Sequence, residues 1–192
     1  MLTLYFAPGS SSMAPHIALH EIGVAFEPRP VVLKTDTRAP GYLAINPEGK
    51  VPALLIDGRR LTEVAAILFY LARRYPEAGL LPTDDIEAQA QALSWMSFVA
   101  ATLHPARAQG LEHARGVYAV ADQRLGDRTW ALDRYSIADI HLFRLFWRFR
   151  NSLNPAQGEF PNLSAHYDRM MERPAVRRTC EIEAAIGYEL PA

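Results

Sequence analysis

The chain has 192 residues, 49% of them hydrophobic and 21% charged, with a formal net charge of −1. That length allows one large or two small domains around a buried core, and a near-neutral balance without a basic run excludes the electrostatic footprint of a nucleic-acid binder. The single cysteine, Cys180, excludes an internal disulfide and any dithiol pair. No apolar run approaches the roughly 20 residues needed to cross a bilayer, and the first residues lack the basic start of a secretory leader. A cytoplasmic protein without membrane contact is expected.

In chain order, Leu2 to Phe6 is a short apolar run ended by Ala7-Pro8-Gly9, which reads as a buried strand and a turn. Ser10, Ser11 and Ser12 each suit a helix cap, and Pro15 suits a first helical turn. The helix continues through Leu19 and stops near Gly23. Phe26 to Leu33 reads as a second strand, which Pro28 and Pro30 assign to a sheet edge. Lys34 to Pro47 is mostly loop, with a short helix near Tyr42 to Ile45. Val51 to Ile56, Asp57-Gly58 and Arg60 to Thr62 read as a hairpin. Thr62 to Arg74 is helical, with Ala65, Ile67, Leu68, Leu71 and Ala72 facing a core.

Tyr75 to Asp85, with Pro76, Gly79 and Pro82, reads as a linker, and no strand follows it. A long helical stretch from Ile86 to about Glu112 is expected to bend near Pro105 and to continue through Leu125. Ser136-Ile137-Ala138-Asp139 is a capping box that opens an apolar helix through Phe149. Shorter helices are expected near Leu163 to Glu172 and Ala175 to Ile182. The pattern predicts a βαβαββα α/β domain at 1–76, a linker at 77–85 and an all-α domain at 86–192.

Three stretches in order resemble one family. Asn46-Pro47-Glu48-Gly49-Lys50-Val51-Pro52-Ala53-Leu54, then Leu61-Thr62-Glu63 with Ala66-Ile67-Leu68 and Tyr70-Leu71, then the capping box, resemble the hallmarks of cytosolic glutathione S-transferases. Tyr5 to Leu19, Trp95 and Leu103-His104 look most like the bacterial beta class. The resemblance implies a thioredoxin-like N-terminal domain and a helical C-terminal domain. It also implies glutathione as co-substrate, a small apolar electrophile as second substrate, a homodimer and no metal. The small domain of one subunit would pair with the large domain of the other. A glutathione-binding relative with little transferase activity and a glutathione-dependent isomerase are the alternatives.

The same resemblance assigns roles. Pro52 would be the cis-proline that turns the Val51 backbone toward the cysteinyl part of glutathione, like an added strand. Glu63 would pair the γ-glutamyl ammonium, and the helix start at Val64 would receive the α-carboxylate. Ser11 would hydrogen-bond the thiol, with Tyr5 as the rival donor. A free thiol has a pKa of about 8.5, so two units of lowering require about 2.7 kcal/mol. One hydrogen bond to a charged group supplies about 1.5–3 kcal/mol. Lys34, Ser97 and His104 complete the implied glutathione contacts. Four positions depart from the beta-class pattern: Ser11 replaces cysteine, Val64 serine or glycine, Ser97 asparagine, and Pro105 lysine.

Other chemistries fit less well. His16 and His20 stand four apart on one helix, but the H-E-x-x-H order is absent and no third zinc ligand is evident. Pro8-Gly9-Ser10-Ser11-Ser12 lacks the second glycine of a G-x-S-x-G elbow, and neither a P-loop nor a G-x-G-x-x-G occurs. Trp95, Phe98, Trp147 and Phe149 suit a helical core better than an apolar substrate pocket.

Overall fold

The computed structural model describes residues 1–188. Strand β1 (Leu2–Phe6) buries Leu2, Leu4 and Phe6, and the chain then turns into helix α1 (Met13–Ile22). Met13 to Leu19 are all buried, so α1 is a core helix rather than a surface one. Gly23 ends it in the left-handed region at φ 74°, its N–H returning to Leu19 O. There follow β2 (Phe26–Pro30), α2 (Pro40–Ile45), β3 (Ala53–Ile56), β4 (Arg59–Thr62) and α3 (Val64–Arg74).

The four strands lie in the order β2-β1-β3-β4, with β1 and β2 parallel and the other pairs antiparallel. The proline-bearing β2 is an edge strand, as its sequence predicts. It is shorter than the expected Phe26 to Leu33. Its partner β1 ends at Phe6, whose carbonyl accepts from Val31 N–H, and the backbone groups of the next residue, Ala7, are both bonded to Ser12 Oγ. The hairpin turn is the predicted Asp57-Gly58, both with positive φ (50° and 80°), the two-residue form that matches strand twist.

A second unit is wholly helical: α4 (Ile86–Phe98), α5 (Leu111–Leu125), α6 (Ile137–Leu153) and α7 (Pro161–Glu172). Tyr118, Phe146, Phe149 and Phe160 stand at the centre of its core. The expected continuous helix from Ile86 through Leu125 does not form. A π-turn (Val99–Leu103) and a 3-10 turn (Pro105–Gln109) interrupt it, and Gly110 at φ 105° breaks it. Pro105 has no N–H to continue the ladder, and the glycine accepts a backbone turn that other residues resist. The capping box forms as read. Ser136 Oγ accepts from Ala138 N–H, and Asp139 Oδ2 accepts from Ser136 N–H at 2.8 Å. Asp139 Oδ1 also meets the buried His166 ring at 3.0 Å.

The last helix, α8 (Pro174–Ile186), packs on α1. The compact units are therefore Met1–Leu71 together with Pro174 onward, and Ala72–Arg173. The boundaries 1–76, 77–85 and 86–192 follow chain order, whereas packing returns the end of the chain to the first unit. Residues 189–192 of that last range lie outside the described residues. The architecture is the expected thioredoxin-like βαβαββα domain followed by helices.

Candidate functional site

The turn after β1 is closed by its own serines. Ser12 Oγ donates to Ala7 O at 3.2 Å and accepts from Ala7 N–H at 3.0 Å. Ser10 Oγ lies 2.6 Å from Ser12 Oγ, and both residues are buried. None of the three serines caps α1 through its side chain, contrary to expectation, because Ser12 spends its hydroxyl on the turn behind it. Ser11 is different. It is half-buried, and its Oγ donates to Val51 O at 3.0 Å.

Val51 is held at that place by the loop before it. The carbonyl of Lys50 accepts from Tyr42 Oη at 2.6 Å and from Asn46 Nδ2 at 2.8 Å. Burial pushes the Tyr42 phenol up to about 12, which keeps it a donor at neutral pH. Gly49 sits at φ 61°, and a Cβ there would stand 2.7 Å from Thr37 O, so only glycine fits this loop. The Val51–Pro52 peptide bond is cis. The Tyr5 and Tyr42 rings form a T-shaped pair, centroids 5.7 Å apart, and Tyr5 is half-buried on β1.

The hairpin register brings the third piece alongside. Ala53 pairs with Thr62, so Glu63 follows the strand residue opposite the one that Pro52 precedes. Glu63 is exposed at φ 67°, an unusual conformation for a residue with a side chain. Its carbonyl accepts from Ile67 N–H, which opens α3, and Val64 is the buried first residue of that helix. Ser11, Val51 with Pro52, and Glu63 with Val64 thus gather at one end of the sheet in one compact unit. Lys34 lies in the same unit after β2, exposed at φ 66°, with its N–H donated to Thr37 Oγ1.

Sequence reasoning missed a buried support beneath the serine turn. Glu183 of α8 is fully buried; one oxygen accepts from Gly9 N–H at 2.7 Å and the other meets His16 Nδ1 at 2.9 Å. Neighbouring His20 places Nδ1 2.9 Å from Thr179 Oγ1, and that hydroxyl donates to Ala175 O. The two histidines weighed as zinc ligands are therefore engaged with α8. No group of three or more side chains suited to a metal occurs among the described residues. Burial, then His16 and Arg178, push His20 down to about 4. The only sequence signal was the i, i+4 spacing of Thr179 and Glu183, opposite an equally spaced histidine pair.

Ser97 and His104 belong to the helical unit. Ser97 is exposed on α4. His104 is open to solvent on one side, yet the protein around its ring desolvates it, and with Arg144 and Arg148 near it titrates at about 4. Burial and the carboxylates of Glu183 and Glu181 raise the Cys180 thiol to about 12, so it is protonated and unreactive at neutral pH.

Comparison with known proteins finds relatives over nearly the whole chain. Residues 1–73 match the glutathione S-transferase N-terminal domain and residues 65–174 the C-terminal domain. Glutathione S-transferase GstA of Escherichia coli O157:H7 is 32% identical, over 95% of this chain and 98% of that protein. A maleylacetoacetate isomerase of Rhizobium meliloti is 42% identical over 123 residues, 63% of this chain and 56% of the isomerase. A sphingomonad glutathione S-transferase solved in complex with glutathione superposes with a TM-score of 0.86 at 32% identity, covering 95% of this chain and 98% of that one. The beta-class enzyme of Sphingomonas chungbukensis gives 0.82 at 33%, covering 94% and 98%. Motifs, fold and likeness over nearly the full length agree: this chain belongs to the glutathione S-transferase family.

Proposed function

We propose that the protein binds glutathione as co-substrate and adds its thiolate to a small apolar electrophile, without a metal. The observation that carries this reading is the 3.0 Å contact between Ser11 Oγ and Val51 O. It joins the proposed thiol donor to the backbone proposed to pair with the cysteinyl residue. Glu63 would take the γ-glutamyl ammonium, and the helix start at Val64 the α-carboxylate. Lys34, Ser97 and His104 enter as glutathione contacts on family resemblance alone. Tyr5 is the rival thiol donor, although its ring packs on Tyr42. In support, the sphingomonad relative is named as a complex with glutathione. A homodimer and a cytoplasmic location complete the proposal.

The reaction needs little from the protein beyond holding and polarising the thiol. A hydroxyl at the start of α1 combines a donor with the positive end of a helix, both of which favour a thiolate. The same hydrogen bond favours a second reading, glutathione binding with little transfer. In this arrangement the Ser11 proton is already committed to Val51 O, so ligand must displace that contact before Ser11 serves the thiol. The isomerase relative keeps a third reading, glutathione-dependent isomerisation, within the test.

Retention on immobilised glutathione, followed by a panel of electrophiles and a cis-dienone isomerisation assay, separates the three readings. In the glutathione complex, thiolate absorbance titrated against pH gives the thiol pKa. Ser11→Ala should raise it by about one to two units, roughly 1.4–2.7 kcal/mol. A shift with Tyr5→Phe instead moves the donor to Tyr5. Failure to bind glutathione at all removes the proposal.

A further inference from the structure

The helical unit contains a cleft of about 520 Å³ that no part of the glutathione reading uses. Three segments form it: the start of α4 with Asp85, Glu87 and Trp95, the end of α5 with Arg124, and the loop after it with Arg128 and Asp133. All of them lie within one compact unit. The cleft therefore holds both carboxylates and guanidiniums. None of these charged groups is in an ion pair among the described residues, so every carboxylate oxygen stands more than 4.0 Å from every guanidinium nitrogen. Charges of both signs share one cleft without meeting.

The basic wall is firmly held. Arg124 is half-buried, and its Nη2 donates to Ser94 Oγ at 2.8 Å. Its guanidinium lies 4.4 Å from the Trp95 ring centroid and 5.0 Å from that of Phe98. Trp95 is itself buried and fixed, Nε1 donating to Ala131 O at 3.0 Å. Arg128 donates to Leu125 O and to Arg124 O, which sets it beside Arg124. Burial first, and the Arg128 charge second, disfavour the protonated form of Arg124. An arginine nevertheless stays charged at physiological pH, and an oriented guanidinium with N–H donors to spare suits a carboxylate.

The acidic wall is open. Asp85 is committed to capping α4, accepting from Ala88 N–H at 2.9 Å. Glu87 and Asp133 are exposed, and neither carboxylate has a hydrogen bond among the described residues. They suit an ammonium. Ala88 and Leu132 add apolar surface to the same cleft. Its volume falls in the range of small-molecule sites, about 300–1,000 Å³. Because the two walls stand apart, a ligand that answers both must carry its own charges apart.

We propose that this cleft binds a small zwitterion with separated charges, its carboxylate against Arg124 and Arg128, its ammonium against Glu87 and Asp133, and an aliphatic middle against Ala88 and Leu132. The inference does not depend on the glutathione reading, because every lining residue belongs to the helical unit and none is a proposed glutathione contact. It assigns the protein a second, dipolar ligand.

The test is calorimetric titration of the full-length protein with ε-aminocaproate. Caproate and hexylammonium are the single-charge counterparts, and glycine is a zwitterion with adjacent charges. ε-Aminocaproate should bind about fivefold more tightly than any of the three, the upper range for an exposed ion pair. Arg124→Gln should weaken ε-aminocaproate and caproate alike by about tenfold, the range for a lost charge-assisted hydrogen bond. Glu87→Gln combined with Asp133→Asn should bring ε-aminocaproate down to the affinity of caproate and leave caproate itself unchanged. Both positions are exposed, and a damaged fold would not produce so selective a loss. No saturable binding of ε-aminocaproate, caproate binding as tightly, or a double variant that weakens both equally overturns the proposal. Sedimentation should be the same with and without ε-aminocaproate; a change of oligomeric state would make the cleft an interface between copies, and the proposal fails. Saturating glutathione should leave the affinity unchanged, and displacement of one by the other would make the cleft part of the glutathione site and overturn it.

Discussion

At the scale of single residues, Ser10, Ser11 and Ser12 are chemically alike and end in different environments. Two are sealed into the turn by each other and by Ala7; the third reaches the strand entry at Val51 O. Cys180, the residue with the most reactive side chain in principle, is held protonated by burial and two carboxylates. Glu63 is an exposed residue with a left-handed backbone at the start of α3. Strain of this kind persists where surrounding structure imposes it, and it concentrates at ligand sites. Glu63→Gln keeps the shape and removes the charge. It should weaken glutathione by about 1–3 kcal/mol, the range for a lost charge-assisted hydrogen bond. The thermal midpoint without ligand should stay nearly constant. Calorimetry with unchanged glutathione affinity would take Glu63 out of the site.

At the scale of elements, the serine turn is positioned by a helix from the far end of the chain. Glu183 on α8 accepts from Gly9 N–H and from the His16 ring on α1, so one carboxylate anchors both the turn and the helix that follows it. Glu183→Ala leaves two buried donors without an acceptor, at about 1–3 kcal/mol each. Urea denaturation should show a loss of that order, and the folded fraction should bind glutathione more weakly because Ser11 is no longer held. Glu183→Gln retains one acceptor oxygen and should recover part of both. Unaltered denaturation of the alanine variant would mean that Gly9 and His16 find other partners. Family resemblance pointed to the front of this site and not to its support, because Glu183 has no local pattern that distinguishes it from a solvated helix glutamate.

At the scale of the whole molecule, three histidines with lowered values, His20, His141 and His104, contribute to the response to acid. His20 titrates at about 4 and His141 at about 3, each because burial disfavours the charged ring, with His16 and Arg178 adding to the first and Arg144 and His104 to the second. The unfolded chain binds these protons near pH 6.5. Between that pH and the lowered values, unfolding takes up protons, so stability present above pH 6.5 is lost as pH falls. The thermal midpoint should drop from neutral pH toward pH 4. His141 Nδ1 is also buried with no hydrogen-bond partner among the described residues. His141→Leu should therefore cost nothing at neutral pH and flatten the acid limb; calorimetry giving parallel limbs for both proteins would contradict this. The proposed assembly is a closed two-fold dimer, the commonest symmetric form. Sedimentation at micromolar concentration should give twice the chain mass of 21.5 kDa, and a monomer alone would count against it.

The sequence by itself determined the βαβαββα order of the first domain, the Asp57-Gly58 hairpin, the edge position of β2 and the capping box at Ser136. Each depends on residues within a few positions of one another: turn chemistry, a missing proline N–H, or a side chain reaching its own helix start. The Val51–Pro52, Glu63 and Ser11 segments were legible through family resemblance, since their motifs are short and contiguous. Tertiary structure alone decided which serine reaches Val51, that α8 returns to the first unit, and that His16 and His20 face Glu183 and Thr179. It also decided the end of β2 and gathered Glu87, Arg124 and Asp133 around one cleft. These facts depend on residues up to 174 positions apart, and local chemistry is the same whether such partners meet or not.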